Sequence, residues 1–553
     1  MMTREDFEKL KKQTLKHYWG FSEFRENQEK IIDSIISGKD TLALLPTGGG
    51  KSLCYQLPAL LLEGICLVIS PLIALMNDQV NYLLSLGIEA QLLSSDLDEI
   101  AMEDILLKCK NGEVKILYLA PERLTSKQFL QHIEEIQISF IAVDEAHCIS
   151  EWGQDFRPSY QNIKDFRNNI KQVPIIALTA TATPKVIDEI QHKLSLDNIS
   201  IYKTSFNRTN INISVLEIAD KFQQILNWLR NNSQSGIIYT RTRKEAETLT
   251  RFLQENNIVN CDFYHAGLSA KERQNKQNIW VQQNNQVLVA TNAFGMGIDK
   301  DNVRFVIHFS LPSSIENYYQ EIGRAGRDGK PSHAFLLWNE QELEKFDDIL
   351  ANSIPNNKEF ERIISHLYSL FQIADLELAE DFFQLNYQSL QRITKSSIAK
   401  IKNVLQFMYH QELIFLNDYR TNSSLNLKIN IDDLDSLRKK DSYFIELLFR
   451  NLPGIGSQKV YFSEQSLSEK LGISLFVFKE RLKDLQRNNL LEYIDGDLSS
   501  IKFLVQRNDR LFSTQYYQLF KKIQKNKIQK WEEMKFFVRN HDYCKMKMIL
   551  TYF

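Results

Sequence analysis

Cysteine is scarce in this chain: six in 553 residues, at positions 54, 66, 109, 148, 261 and 544. They are scattered, with no short spacing between them. That excludes a disulfide-stapled secreted scaffold, and buried free thiols in a reducing compartment are the simplest reading. Long apolar runs are missing as well. None approaches ~18 residues, so no membrane-crossing helix is predicted, and residues 1–16 are charged and helix-like rather than a signal peptide. A cytoplasmic protein is expected. Nor does charge of one sign dominate. A net charge of −2 argues neither for nor against a polyanionic partner, which needs only a local basic face. The lysine-rich residues 521–535 are either such a face or the solvated side of a helix.

What is present is ordinary soluble composition, 43% hydrophobic and 25% charged, spread over a length that predicts roughly three or four domains. Between residues 28 and 338, strand-like and helical segments alternate. Strands are predicted at 41–45, 65–70, 115–119, 140–143 and 175–179. After a polar connector, Ser205-Phe206-Asn207-Arg208-Thr209-Asn210, a second set follows at 211–216, 236–239, 261–264, 286–290, 303–309 and 333–338. This alternation predicts parallel sheets covered on both faces, with ligands at the carboxyl ends of the strands.

The stretch Leu45-Pro46-Thr47-Gly48-Gly49-Gly50-Lys51-Ser52 joins a predicted strand to a predicted helix at 53–62. Glycines there let backbone N–H groups ring an anion, and the helix N-terminus adds its dipole. Lys51 would reach the terminal phosphates and the Ser52 hydroxyl would hold Mg²⁺. The strict pattern asks for glycine where Leu45 stands. Only the first α/β set carries such a loop, so one nucleotide is expected in the cleft between the two sets. Asp144-Glu145-Ala146-His147 closes another strand. A carboxylate pair at a strand end suits a metal holder (Asp144) and a water-activating group (Glu145) for phosphoryl transfer. In the second set, Gln320-Glu321-Ile322-Gly323-Arg324-Ala325-Gly326-Arg327-Asp328-Gly329 places two arginines three apart. They are expected on one helical side, with glycines between them for close approach, the form of an arginine finger delivered across a cleft.

Beyond residue 340 strands thin out. Residues 360–372, 396–408 and 444–452 are predicted helical. Residues 466–472 and 475–489 resemble a helix-turn-helix, and 490–494, a turn at Gly496 and 501–505 form its expected wing; such units bind duplex DNA or partner proteins. Residues 515–553 are expected as one long helix or two. Their apolar end carries no helix stop signal, which predicts that further sequence follows in the full-length protein.

In their order, these segments resemble the RecQ family of DNA helicases, within helicase superfamily two. Trp19-Gly20-Phe21-Ser22-Glu23-Phe24-Arg25-Glu26-Asn27-Gln28 resembles the family's motif 0, and residues 46–52 resemble motif I, which in this superfamily tolerates Leu45. Ser70-Pro71-Leu72-Ile73-Ala74-Leu75-Met76-Asn77-Asp78-Gln79 resembles motif Ia and Asp144-Glu145-Ala146-His147 motif II. Ala177-Leu178-Thr179-Ala180-Thr181-Ala182-Thr183 resembles motif III and Ile237-Ile238-Tyr239-Thr240-Arg241-Thr242 motif IV. Ala290-Thr291-Asn292-Ala293-Phe294-Gly295-Met296-Gly297-Ile298-Asp299 resembles motif V, and the arginine stretch motif VI. The most specific segment is Cys148-Ile149-Ser150-Glu151-Trp152-Gly153-Gln154-Asp155-Phe156-Arg157-Pro158, similar to the aromatic-rich loop that follows motif II.

The resemblance implies two tandem RecA-like domains with parallel sheets, at 1–204 and 205–340. A helical region at 341–440 and a winged-helix-like region at 441–510 would follow, then a C-terminal helix at 511–553 that opens a zinc-binding segment. It implies an ATP-dependent helicase that moves 3′ to 5′ on single-stranded DNA and unwinds forked duplex in recombination and repair; nothing in the sequence demands more than a monomer, and a monomer is expected. Gln28 and Arg25 would read adenine, with Tyr18 or Trp19 stacking on it. Thr47, Gly48, Gly49, Gly50, Lys51 and Ser52 would hold the phosphates, with Mg²⁺ between Ser52 and Asp144. Glu145 would act on water, Arg327 would be the finger and Arg324 its assistant. Asp299 and Gly297 would link the cleft to the DNA track. Trp152 and Phe156 would stack on bases, worth ~1–3 kcal/mol per base, with Arg157, Asn77 and Gln79 also on the nucleic acid. The family's zinc module needs four cysteines. Only Cys544 has a counterpart here, as a first ligand or a plain helix cysteine, so zinc is expected only in the full-length protein. An RNA-remodelling ATPase of the same superfamily and a nucleotide-gated DNA-binding scaffold are the rival readings.

Overall fold

The structure, a computed structural model, describes residues 4–94, 97, 99–150, 156–170, 172–196, 198–295, 300–379, 381–417, 423–429, 437–456, 459–494 and 499–553. Two compact units emerge. One comprises Met1–Ile354, His410–Glu412 and Gln515–Phe553; the other comprises Pro355–Tyr409 and Leu413–Thr514.

The first unit holds both α/β sets. Strands β1 (Thr41–Leu44), β2 (Ile65–Ile69), β3 (Ala90–Leu93), β4 (Ile116–Leu119), β5 (Ile138–Val143), β6 (Ile175–Thr179) and β7 (Ser200–Lys203) form a parallel sheet in the order β3-β4-β2-β5-β6-β1-β7. Alternate residues serve opposite faces, as strand geometry requires. Leu42, Leu67, Leu117 and Ile141 enter one core, while Ala43, Val68, Tyr118 and Ala142 enter the other. Burial on both faces is why these strands read as unbroken apolar runs. β3 and β7 escaped the sequence reading because both are short and lie at the sheet's edges, and β7 buries no residue fully.

Strands β8 (Ile211–Glu217), β9 (Gly236–Tyr239), β10 (Cys261–Tyr264), β11 (Val287–Ala290), β12 (Phe305–His308) and β13 (Ser332–Trp338) form the second parallel sheet, ordered β10-β11-β9-β12-β13-β8. Helices Tyr517–Arg539 and Lys545–Tyr552 return to this domain. Trp531 Nε1 donates to Asp347 at 2.7 Å, and Trp531, Met534, Phe537 and Ile549 join the core beside β13. The lysine-rich stretch is therefore neither a bare basic face nor wholly solvated. Lys530 pairs with buried Glu316 at 2.9 Å and Lys535 with Asp347 at 3.0 Å.

The second unit contains β14 (Phe382–Leu385), β15 (Ile414–Asn417), β16 (Ser423–Leu427), β17 (Val460–Phe462), β18 (Leu491–Ile494) and β19 (Ser499–Phe503). They make two antiparallel sheets, β14-β19-β15 and β17-β16-β18. Here the expected wing is corrected. β18 and β19 do not pair as a hairpin, because β18 lies beside β16 and β19 lies between β14 and β15; Gly496 falls outside the described residues. What forms instead is a duplicated winged helix. Helices Asn357–Leu370, Tyr387–Thr394 and Ile398–His410 surround the first sheet's strands in the same succession as Lys439–Asn451, Glu464–Lys470 and Leu475–Arg487 around the second's. The two copies align at one constant offset. Leu385 matches Phe462, Gln388-Ser389-Leu390 matches Gln465-Ser466-Leu467, and Ile414 matches Leu491. Even the left-handed residues coincide, Lys395 (φ 53°) with Gly472 (φ 66°) and Glu412 (φ 56°) with Asn489 (φ 57°). Each copy's central strand comes from outside its own run of helices, β16 before the second run and β19 after it.

Candidate active site

The phosphate loop starts one residue later than its letters suggest. Leu45 is buried and its N–H still donates to Thr179 O at 3.2 Å, so it is the end of β1's pairing and has no phosphate to cradle. Gly48 and Gly50 both lie at φ 77°, a region open to glycine and strained for other residues. A Cβ on Gly50 would fall 2.2 Å from Gln28 Nε2, and one on Gly48 would fall 3.2 Å from Arg327 Cγ. Buried Gln28 donates from Nε2 to Gly49 O (3.3 Å) and Gly50 O (3.2 Å), and its Oε1 accepts the Arg25 N–H at 2.8 Å. The Arg25 guanidinium donates to Gly48 O. Motif 0 and the phosphate loop are thus one hydrogen-bonded body. Trp19 is half-buried against the domain core, with Tyr18 beside it at 5.9 Å between ring centroids.

β5 delivers the acidic pair to the same sheet end. Lys51 Nζ lies 3.5 Å from Glu145 Oε1. Just past Ser52, the buried Tyr55 hydroxyl lies 3.3 Å from that of Tyr118, and burial, with the charge of Asp144 as a smaller cause, pushes the Tyr55 phenol up. Glu145 sits at φ 45°, a strained position for a side chain of its size and a common mark of a working site. Burial pushes the Asp144 carboxyl up, and the adjacent Glu145 pushes it further. Burial acts on Glu145 too, but Lys51 and His147 outweigh it and hold that carboxyl below the usual range. Of the two carboxyls, Glu145 is the one held anionic more firmly. His147 Nδ1 sits 3.3 Å from Glu145 Oε2 and 2.9 Å from Thr179 Oγ1, which in turn lies 3.3 Å from the Thr181 backbone. Tyr160 steadies the turn by donating to Asp144 O at 2.9 Å. The sequence reading did not single out Tyr160 or this relay from motif II to motif III.

The arginines come from the second domain but not as expected. Helix Ile315–Ile322 ends before either of them, and Gly326 turns the chain at φ 58°. Arg324 and Arg327 therefore do not share a helical side. Arg327 lays its aliphatic stem over Gly48, and Gly323 comes so close to Thr47 that a Cβ would lie 3.0 Å from its Cβ. Arg324 points the other way. It is buried in its own domain, donates to Gly295 O and adjoins Tyr239. Also unforeseen is Arg208, whose guanidinium contacts Thr47 O and three motif VI carbonyls. Its signal was available, as a lone cation inside the polar connector.

The expected nucleic-acid residues are spread out. Phe156 is half-buried with Lys193 Nζ 5.2 Å from its ring centre. The Arg157 N–H ties back to Cys148 O at 2.8 Å, directly after motif II. Asn77 is exposed on helix Ile73–Ser85, whereas Gln79 accepts from Gln56 at 2.9 Å inside the domain. Trp152, Gly297 and Asp299 lie outside the described residues. Cys544 is exposed, just before helix Lys545–Tyr552, and the other five cysteines are buried. Among the described residues no helix is long and apolar enough to cross a membrane.

Two RecA-like domains, one bearing the phosphate loop and acidic pair and the other an arginine, define the superfamily-two class of nucleotide-driven remodelling proteins. Comparison with known proteins narrows this. Residues 25–190 match the DEAD/DEAH box helicase model, 218–329 the helicase conserved C-terminal domain, and 427–495 the RecQ helicase winged-helix domain, Bacteroidota. The ATP-dependent DNA helicase RecQ of Pasteurella multocida (strain Pm70) is 42% identical over 67% of this chain and 58% of its own length. RecQ of Bacillus subtilis (strain 168) is 42% identical over 67% and 62%. The probable ATP-dependent DNA helicase RecS of the same organism is 42% identical over 64% and 71%. The chain belongs to the RecQ family of ATP-dependent DNA helicases. It spans about three-fifths of the length of the two RecQ relatives. Among solved structures, Mss116p bound to ssRNA and AMP-PNP superposes with a TM-score of 0.51 at 16% identity, covering 74% of this chain and 91% of that one. The DUF1998 helicase MrfA bound to DNA and AMPPNP gives 0.50 at 20% identity, covering 61% and 51%. These two likenesses concern the fold.

Proposed function

We propose that this chain is a DNA-dependent ATPase that translocates 3′ to 5′ on single-stranded DNA and unwinds duplex. The observation that carries this reading is the meeting of Arg327 with Gly48, on the loop whose Lys51 faces Glu145. Cation, carboxylate and opposing arginine are what phosphoryl transfer to water asks of a protein. Lys51 and the loop N–H groups bind the phosphates. Glu145, held anionic, takes the position that orients water, and its backbone strain and His147 contact fix its direction. Arg327 stabilises charge on the transferring group, while Arg324 serves the second domain from inside. Ser52 and Asp144 would hold Mg²⁺, which when bound neutralises phosphate charge. Ser52 follows Lys51 and Asp144 precedes Glu145, and those two neighbours meet at 3.5 Å, so a hydroxyl and a carboxylate fit a cation there. Arg25 and Gln28 read adenine, with Tyr18 or Trp19 as the stacking partner. Trp152, Phe156, Arg157, Asn77 and Gln79 are the proposed DNA contacts, with Gly297 and Asp299 linking the cleft to that track. The protein works as a cytoplasmic monomer on forked DNA. Zinc does not fit the residues present, because Cys544 alone cannot make a tetrahedral site.

The decisive measurement is ATP turnover with single-stranded DNA, with RNA and with neither. DNA should stimulate strongly and RNA weakly. Equal stimulation by both would favour RNA remodelling, and no turnover with either would leave a binding scaffold.

A further inference from the structure

The connector between the two sheets holds an arginine that the proposed chemistry does not use. Arg208 is half-buried. Its Nη1 donates to Thr47 O at 3.2 Å, on the phosphate loop of the first domain, and to Gly323 O at 3.3 Å, on motif VI of the second. Its Nη2 donates to Ala325 O at 2.9 Å and Gly326 O at 3.0 Å, and its Nε to Asn210 Oδ1 at 3.3 Å. One planar fork thus spans the cleft backbone to backbone. The connector is pinned on the motif VI side. The Tyr319 hydroxyl donates to Phe206 O at 2.9 Å, and Asn210 Nδ2 donates to Gly326 O at 2.8 Å. Phe206 also stacks on Phe553 of the terminal helix at 5.0 Å.

Charge makes this bridge conditional. Arg25 bonds the Gly48 carbonyl, Arg327 lies on Gly48, and Arg208 bonds the Thr47 carbonyl. Both other guanidinia act on Arg208 as repelling neighbours. Three like charges around two residues oppose closure unless an anion sits among them. We propose that Arg208 is a positioning residue that makes closure of the two RecA-like domains depend on the nucleotide's negative charge. With a triphosphate on the loop, repulsion is relieved and the fork of Arg208 seats the motif VI loop, and with it Arg327, against Thr47 and Gly48. When phosphate leaves, repulsion returns and the domains part. Arg208 touches no reacting atom; it acts through Thr47 and Arg327. This inference rests on the ATPase reading above.

Arg208→Gln removes charge and fork together. Arg208→Lys keeps the charge but cannot reach carbonyls on both sides in one plane. Closure is read by energy transfer between dyes on the native, exposed Cys544 and on a Lys39→Cys substitution at an exposed site before β1, with and without a non-hydrolysable ATP analogue. The labelled parent should change its transfer on adding analogue. Both variants should bind analogue within about three-fold of the parent, lose at least about half of that change, and lose about ten-fold in kcat with KM moved less than about three-fold, the pattern of an interaction realised after binding. A lowered melting temperature with kcat and energy transfer intact would mark a merely structural arginine and overturn the proposal. So would an active parent whose transfer ignores the analogue. A parent with no DNA-stimulated turnover would instead overturn the ATPase reading itself.

Discussion

Leu45 shows how a single residue can mislead a pattern. Judged by letters it stands where a phosphate loop wants glycine, yet it is buried and still paired to β6 through Thr179. Leu45→Gly would restore the pattern and remove a core side chain. We expect a loss of about 3 kcal/mol in stability and no gain in ATP affinity, checked by chemical denaturation and by nucleotide titration. The two motif VI arginines invite a paired test. Arg327→Ala should lower kcat by about 10³-fold, the order associated with an arginine finger, with the melting temperature unchanged. Arg324→Ala should lower the melting temperature, by an amount equivalent to about 2 kcal/mol, because it empties a buried site and strands the Gly295 carbonyl. Equal effects of the two substitutions on both readouts would remove the distinction. Lys51→Ala should abolish turnover while single-stranded DNA binding, followed by fluorescence anisotropy, persists.

At the scale of elements, helix Tyr517–Arg539 is held to helix Ile315–Ile322 by Lys530 and Glu316. Burial pushes the Glu316 carboxyl up, but Lys530 more than reverses it and leaves the group below its ordinary value. Such a carboxylate contributes stability that is fully present above its unfolded value and is lost as pH falls through its folded one. Lys530→Met should therefore cost about 3 kcal/mol at neutral pH and flatten the acid limb of the stability curve, measured as melting temperature between neutral and acidic pH. An unchanged acid limb would mean that Glu316 titrates normally. The duplicated winged helix belongs to this scale too. Its first copy hid because Phe382–Leu385 is short and half-exposed, and because the turn residue is Lys395 where the second copy has the legible Gly472. Gly472→Lys should cost about 1 kcal/mol, since lysine must then adopt the left-handed backbone; denaturant titration reads this directly.

For the molecule as a whole, the proposed function makes a directional prediction. Duplex carrying a 3′ single-stranded tail should be separated with ATP, and duplex carrying only a 5′ tail should not. A strand-displacement assay with both substrates checks this, and equal separation of the two would sink the assigned polarity. Within the first unit, residues far apart in the chain complete one cleft. Arg25 and Gln28, the phosphate loop, the acidic pair, Arg208 and Arg327 come from separate segments, and the connector at 205–210 joins the two halves.

The two parallel sheets were legible in sequence because strands buried on both faces must be apolar throughout, and the phosphate loop and acidic pair because their chemistry demands those residue types at a strand's end. Edge strands β3 and β7, which are buried at only some or none of their positions, were not legible, although the second sheet's edge strands β8 and β10 were. The wing was misread for a related reason: strand propensity says that 490–494 and 501–505 are strands, but partner choice in a sheet is set by which faces meet in three dimensions. Likewise, the spacing of Arg324 and Arg327 implied a shared direction only for an unbroken helix. The turn at Gly326 sends Arg327 to the nucleotide loop and Arg324 into its own domain, and no pairwise spacing in the chain carries that information. Local chemistry is written in adjacent residues; the assembly of a cleft from distant segments is decided by packing.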